Sequence, residues 1–369
     1  MIRQTLAIFV DAYRELSSRM IFWIVLLLAM LGLAGFALLG VSGQGVTIVG
    51  HTLFESTFID PKIVYKSIYL GAMGKIWLVF GGTILAVVSV SSIFPDFISS
   101  GSVDLYIAKP ISRLRLFLTK YLAGMAFIVA QLLIFSIGSF FVLGIRGGVW
   151  HASVFLALPI MLCFYSYLYA FSVLFGVVTR STLAAVLLTT LMWAALYGVQ
   201  KTEIETSATI IKYNLDIART DATIKRNEAM LATLTRTPGA ATRPTTSQGI
   251  IDNQQRSLDA TISHRKDLQS SLHTWSVIHH LFYRASAILP KAISTYSLLD
   301  RYLISDVDFQ AASNPPDSLP ENYRDAVEAG KEVELRARKE SLLWIIGTSL
   351  TFEFVVVSLA AWIFCQRDY

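Results

Sequence analysis

The chain has 369 residues, of which 54% are hydrophobic and only 15% charged, and its mean hydropathy is +0.55. A soluble domain carries about one quarter charged residues, so this composition excludes an ordinary soluble enzyme and points to an integral membrane protein. Two Cys exclude a disulfide framework and a Cys-based zinc site; the net charge of +5 arises outside residues 201–341, which balance 18 basic against 18 acidic side chains, so it reads as a membrane-orientation signal and not as a nucleic-acid patch.

Residues 1–20 place Ile2, Leu6, Phe9, Tyr13, Leu16 and Met20 at helical spacing, which predicts an amphipathic helix at the interface or an extension of the first span. The first apolar run is too long for the core of a cleaved signal peptide. Six runs reach the roughly 20 residues that a bilayer core requires: about 21–40, 71–94, 121–145, 152–178, 181–199 and 342–364. The predicted fold class is therefore an all-α integral membrane protein of six transmembrane helices, with a large helical extracytoplasmic insertion between helices 5 and 6.

Orientation follows from Lys and Arg in the short flanks. With the N-terminus inside, Arg3, Arg14, Arg19, Lys109, Arg113, Arg115, Lys120, Arg180 and Arg367 fall on the inner side. Lys62, Lys66, Lys75 and Arg146 fall outside. The excess places both termini, including the tail 365–369, in the cytoplasm. Loop 41–70 and segment 200–341 then lie outside.

The inner loop 95–120 is the most informative stretch. It contains Asp96, then Gly101-Ser102-Val103-Asp104, then Ala108-Lys109-Pro110-Ile111-Ser112-Arg113, and it leads into Lys120-Tyr121-Leu122-Ala123-Gly124. Topology alone explains the basic charges but not this order of residues. The run resembles the first cytoplasmic loop of type 2 ATP-binding cassette (ABC-2) permeases, with Ser102 for a Thr and Thr119 for a Gly. Leu289-Pro290-Lys291 and Leu298-Leu299 also resemble the segment before the last span of such permeases, and predict short helices on the outer face.

The resemblance implies a permease subunit of an ABC transporter, leaning to export, in a bacterial inner membrane. The absence of Asn-x-Ser/Thr sequons is compatible with that compartment. It implies a second permease copy, identical or not, and a cytoplasmic ABC ATPase that binds ATP and Mg. Asp96, Gly101, Asp104, Lys109, Pro110 and Arg113 would form the ATPase-coupling loop.

Segment 200–341 reads as a helical hairpin or coiled-coil domain. Ile204, Ala208, Ile211, Leu215, Ala218 and Ala222 form a stripe, 235–249 breaks it, and Ile251, Leu258, Ile262 and Leu272 form a second. Ser318 and Glu321 suggest a capping box that opens a charged helix running toward the last span. The insertion suggests contacts with an envelope partner or substrate hand-off.

No phosphate loop is present: Gly71-Ala72-Met73-Gly74-Lys75-Ile76 lacks the first Gly and the closing Ser or Thr. The chain is not expected to be an enzyme by itself, or to hold a cofactor or metal. His264, His273, His279 and His280 cluster in sequence but show no metal-ligand spacing. Glu353, inside the last apolar run, is an intramembrane polar contact: either a hydrogen bond to a neighbouring helix or a dimer mate, or a substrate or proton contact, with the first preferred. Gln131 invites the same two readings. The rival to the transporter is a membrane-anchored scaffold or sensor whose external coiled coil binds envelope components.

Overall fold

The computed structural model describes residues 20–42, 45–48, 51–55, 69, 71–99, 112–148, 150, 152–236, 245–303 and 321–367, with Val10 and Arg14. Val10 and Arg14 are helical; the rest of the predicted helix 1–19 lies outside the described residues. Five helices among the described residues are long and apolar enough to cross a membrane. The first predicted span forms α1, Met20–Ala37. Its 18 residues extend about 27 Å against a hydrocarbon core of roughly 30 Å.

Loop 41–70 contains structure that the apolar pattern did not reveal. Strands β1 (Leu39–Ser42), β2 (Gly45–Ile48) and β3 (His51–Glu55) form an antiparallel meander in the order β1-β2-β3. Leu39 pairs with Ile48 and Gly45 with Glu55, with an irregularity between Val46 and Thr47. Strands of four or five residues are too short to print a period of two. Arg146 donates to the carbonyls of Leu38 and Leu39, tying this meander to the end of a span.

The second span is composite: a π-helix over Gly71–Gly82, then α2 (Thr83–Val90) and α3 (Ile93–Ser99). At the junction Tyr165 Oη donates to the Leu78 carbonyl at 2.7 Å, and Thr83 Oγ1 donates to the Val79 carbonyl at 2.5 Å. These hydroxyls serve carbonyls where the hydrogen-bond register changes.

The third span, α4, runs from Arg113 to Gly147, eight residues earlier than its apolar run begins. Ser112 sets this start, because its side chain accepts from the Arg115 N–H. A helix begins at its cap and not at the membrane boundary, so Lys120 lies two turns inside it. Gly148, in the left-handed region at φ 64°, ends it.

A 3₁₀ turn at Ala152–Leu156 leads into α5 (Ala157–Thr179). This helix is the centre of the bundle, packing on α4, on α8 (Ala292–Leu303) and on α10 (Leu342–Gln366). Met161, Phe164, Tyr167 and Ala170 are fully buried. Lipid tails are as apolar as these side chains, so close packing and hydrogen bonds hold the spans together, and small residues permit the approach. Gly124 shows this: a Cβ there would collide with the Tyr169 hydroxyl and with Ile93.

The predicted outer-face helix after Leu289-Pro290 is α8, and it is buried rather than superficial. Ala292, Thr295, Leu298 and Leu299 pack inward at three- and four-residue steps. Ser341 caps α10 by accepting from the Trp344 N–H at 3.1 Å.

The chain divides into two compact units: residues 1–198, 287–312 and 338–369, and residues 199–286 and 313–337. The fifth apolar run opens α6, one helix from Thr182 to Arg236 with no Pro to stop it. Its later part belongs to the second unit, with most of α7 (Thr245–Ile288) and of α9 (Glu321–Lys339). Three contacts fix α6 and α7 as antiparallel arms: Thr206 with His279, Asp221 with Arg265, and Asn227 with Gln254.

The covered face of α7 follows a heptad through Ile251, Gln254, Leu258, Thr261, Arg265, Leu268, Leu272, Trp275, His279 and Phe282. The predicted Ile262 is instead 45% exposed. On α6 the predicted stripe holds to Leu215 and then turns through Ile217, Thr220, Ile224, Asn227, Leu231 and Leu234. Ala218 and Ala222 are exposed, because the covered positions shift by one residue after Leu215 and then keep their own three- and four-residue steps. Ser318 lies outside the described residues.

Candidate functional site

Glu353 lies on the twelfth residue of α10, near mid-span. Its carboxylate is held from two other spans. Tyr121 Oη on α4 donates to Oε1 at 2.8 Å, and Ser166 Oγ on α5 donates to Oε2 at 2.6 Å. Each oxygen thus has a donor, which is the requirement for a carboxylate out of water. Three spans meet at one side chain through these hydrogen bonds.

An aromatic column descends from this group toward the end of the bundle where residues 95 and 113 lie. Tyr169 stacks on Tyr121 at 4.9 Å, and Tyr121 on Phe117 at 6.5 Å. Phe117 meets Phe364 at 5.7 Å, which stacks on Phe97 at 6.3 Å. Lys120 is 2% exposed, with Nζ 4.8 Å from the centroid of the Phe97 ring. It is a cation on an aromatic face, not a loop charge.

Both described members of the predicted coupling loop sit at the foot of that column. Asp96 lies in the first turn of the last helical segment of span 2, and Thr182 Oγ1 at the start of α6 donates to its Oδ1 at 3.3 Å. Pro95 packs on Gly176. Arg113 Nη1 donates to the carbonyls of Cys365 at 3.1 Å and Arg367 at 2.8 Å. Arg367 Nη1 donates in turn to Val177 at 2.7 Å and Val178 at 3.1 Å. Two guanidinium groups thereby serve the negative C-terminal ends of α10 and α5. Arg113 is thus directed at the bundle itself. Gly101, Asp104, Lys109 and Pro110 lie outside the described residues.

The other polar candidates separate. Gln131 Oε1 is buried with no hydrogen-bond partner among the described residues, beside a cavity of about 20 Å³ lined by Trp77, Gly82 and Tyr165. His264, His273 and His280 are exposed, whereas His279 sits in the hairpin seam with Nδ1 3.3 Å from Thr206 Oγ1. Burial holds its imidazole below the ordinary value; the Glu203 backbone opposes that shift and His280 adds to it. Among the described residues no three His, Cys, Asp or Glu side chains converge as metal ligands. Cys163 and Cys365 are free.

Sequence reasoning missed Tyr121 and Ser166 as partners of Glu353, and Arg367 as the partner of α5. Hydroxyl residues within an apolar run carry no spacing signal. Arg367, the last cation after the last span, could have been flagged as a helix-end cap. Comparison with protein-family models, with curated proteins and with solved structures finds no match.

Proposed function

We propose that this chain is the permease subunit of a type 2 ABC transporter, acting as an exporter with a separate cytoplasmic ATPase. The observation that carries this reading is the residue order from Asp96 through Gly101, Asp104, Lys109-Pro110 and Arg113 to Gly124. The described flanks of that loop add support, since each is joined to a different span: Asp96 to the start of α6 and Arg113 to the end of α10. A load on the loop therefore has a physical route into the bundle.

In this reading ATP and Mg are held by the partner, and two permease copies form the pathway. The termini and the loop face the cytoplasm of a bacterial cell, across its inner membrane. The six apolar runs are six spans, and the hairpin 200–341 stands on the opposite side. Coupling needs two arrangements of the spans that bind the ATPase differently.

The test is purification from native membranes. An ATPase without membrane spans should accompany the chain and be lost on Asp104→Lys or Lys109→Glu. A chain that carries no nucleotide-hydrolysing partner, and whose behaviour is indifferent to both reversals, would overturn the proposal. The heptad hairpin with its polar layers favours the second reading, a membrane-anchored scaffold or sensor with an envelope partner. Deleting residues 205–280 separates them, because a scaffold then loses all function while ATPase binding at the loop persists.

A further inference from the structure

The last span is the least covered of the five: 17% of its apolar window is buried, against 61% for that of Ala152–Thr179. An open groove of about 530 Å³ runs along its first half, between Ile288 at the end of α7 and Trp344, Gly347, Thr351 and Val355. From Leu343 to Val355 the helix rises about 18 Å, close to one leaflet of a roughly 30 Å core. The groove is open along its length and mostly apolar in its lining, which suits a hydrocarbon chain lying along the helix.

One cation stands at its head. The Lys291 backbone N–H donates to Ser349 Oγ at 3.0 Å, and Nζ lies 4.9 Å from the centroid of the Trp344 ring. Among the described residues no carboxylate pairs with it. Trp344 and Lys291 lie at the level of the helix N-terminus, where an amphipathic ring and a long cationic side chain meet lipid headgroups.

We infer that this groove binds one anionic phospholipid from the leaflet around the N-terminal half of the last helix. An acyl chain lies along Gly347 and Thr351, and the phosphate faces Lys291. The apolar channel selects a chain and the unpaired ammonium selects a negative headgroup. The inference rests only on the last helix crossing the membrane, so it stands or falls separately from any ATPase.

The test uses the full chain in nanodiscs of mixed phosphatidylcholine and phosphatidylglycerol, released for native mass spectrometry. The wild type should retain phosphatidylglycerol in preference. Lys291→Gln should reduce that preference roughly fivefold, the weight of one cation near a charged headgroup. Gly347→Leu should abolish retention of both lipids with unchanged melting, since a Cβ at Gly347 meets nothing within 4 Å. Thr351→Leu, at a second exposed groove position, repeats the test if the first variant melts early. A photoreactive acyl chain should label residues 347–355. Equal lipid ratios in the wild type and Lys291→Gln, or labelling elsewhere, would overturn the inference. So would Gly347→Leu splitting a two-copy complex with lipid retention intact, which would assign the groove to a second copy.

Discussion

If Glu353 is a latch between spans, its partners should be coupled to it energetically. Tyr121→Phe removes the donor to Oε1 and leaves the ring stack on Tyr169 in place. Hydrogen bonds to charged groups contribute about 1.5–3 kcal/mol. Interhelical hydrogen bonds in membranes average about 0.6 and reach about 1.7 kcal/mol, because the separated helices find other partners. The second figure governs here, so the expected loss is about 1–1.5 kcal/mol. Ser166→Ala should cost less, about 0.5–1 kcal/mol, because part of its bonding goes to the Cys163 carbonyl of its own helix. Glu353→Leu strands the Tyr121 hydroxyl but also removes a carboxylate whose insertion costs roughly 3 kcal/mol, so its net effect should be small. The informative quantity is the Tyr121→Phe/Glu353→Leu double-mutant cycle, read from reversible unfolding in mixed micelles, with an expected coupling of about 1 kcal/mol. Glu353→Gln keeps the size and the acceptor for Tyr121, and its amide can donate to Ser166 Oγ while that hydroxyl donates to the Cys163 carbonyl, so stability should change little. Zero coupling would refute the latch. If the proposed permease function holds, loss of transport by Glu353→Gln at unchanged stability would instead assign the carboxylate a charge-dependent role.

Arg113→Gln should cost about 1.5–3 kcal/mol by freeing two helix-end carbonyls, with faster amide exchange confined to the last turns of α10. In the hairpin, Asp221 and Arg265 are each more than a third exposed; Arg265→Leu should leave thermal unfolding of that unit nearly unchanged, and a large drop in its melting temperature would show a desolvated pair. His279 is held below the unfolded imidazole value of 6.5, so the unfolded arm binds the proton more tightly. Its contribution is full above about pH 6.5 and is lost as pH falls from there through the lower folded value; protection over residues 199–286, corrected for the intrinsic exchange rate at each pH, should fall on acidification, and His279→Leu should flatten the response. Gly124→Ala should destabilise by about 1–3 kcal/mol through overpacking against Tyr169, checked by thermal melting in detergent.

The membrane helices were legible because a span needs a long apolar run, and such runs are hard to mistake. Their ends were not: α4 begins at the Ser112 cap, and α6 continues to Arg236 because nothing in the polar stretch breaks it. Glu353 stood out as a lone carboxylate in an apolar run. Its partners depend on which faces of α4 and α5 turn toward α10, a tertiary choice among many Tyr and Ser residues. Arg113 was found through a loop pattern, yet its hydrogen-bond partners are carbonyls at 365 and 367, and carbonyls leave no trace in a sequence. The hairpin seam was readable where it used Ile and Leu, and faded where it used Thr220, Asn227 and Arg265.

The mixed winding of the second span has a consequence for how this protein meets membranes of different thickness. A π-wound segment has wider, i→i+5 turns and covers less axial distance per residue than α. Rewinding Gly71–Gly82 would push the start of the span outward and rotate it about its axis. Most helices answer a thicker bilayer by changing tilt, at a fraction of a kcal/mol per Å. This one carries spare length in its winding, and the Tyr165 hydroxyl bonds the Leu78 carbonyl within the wound segment.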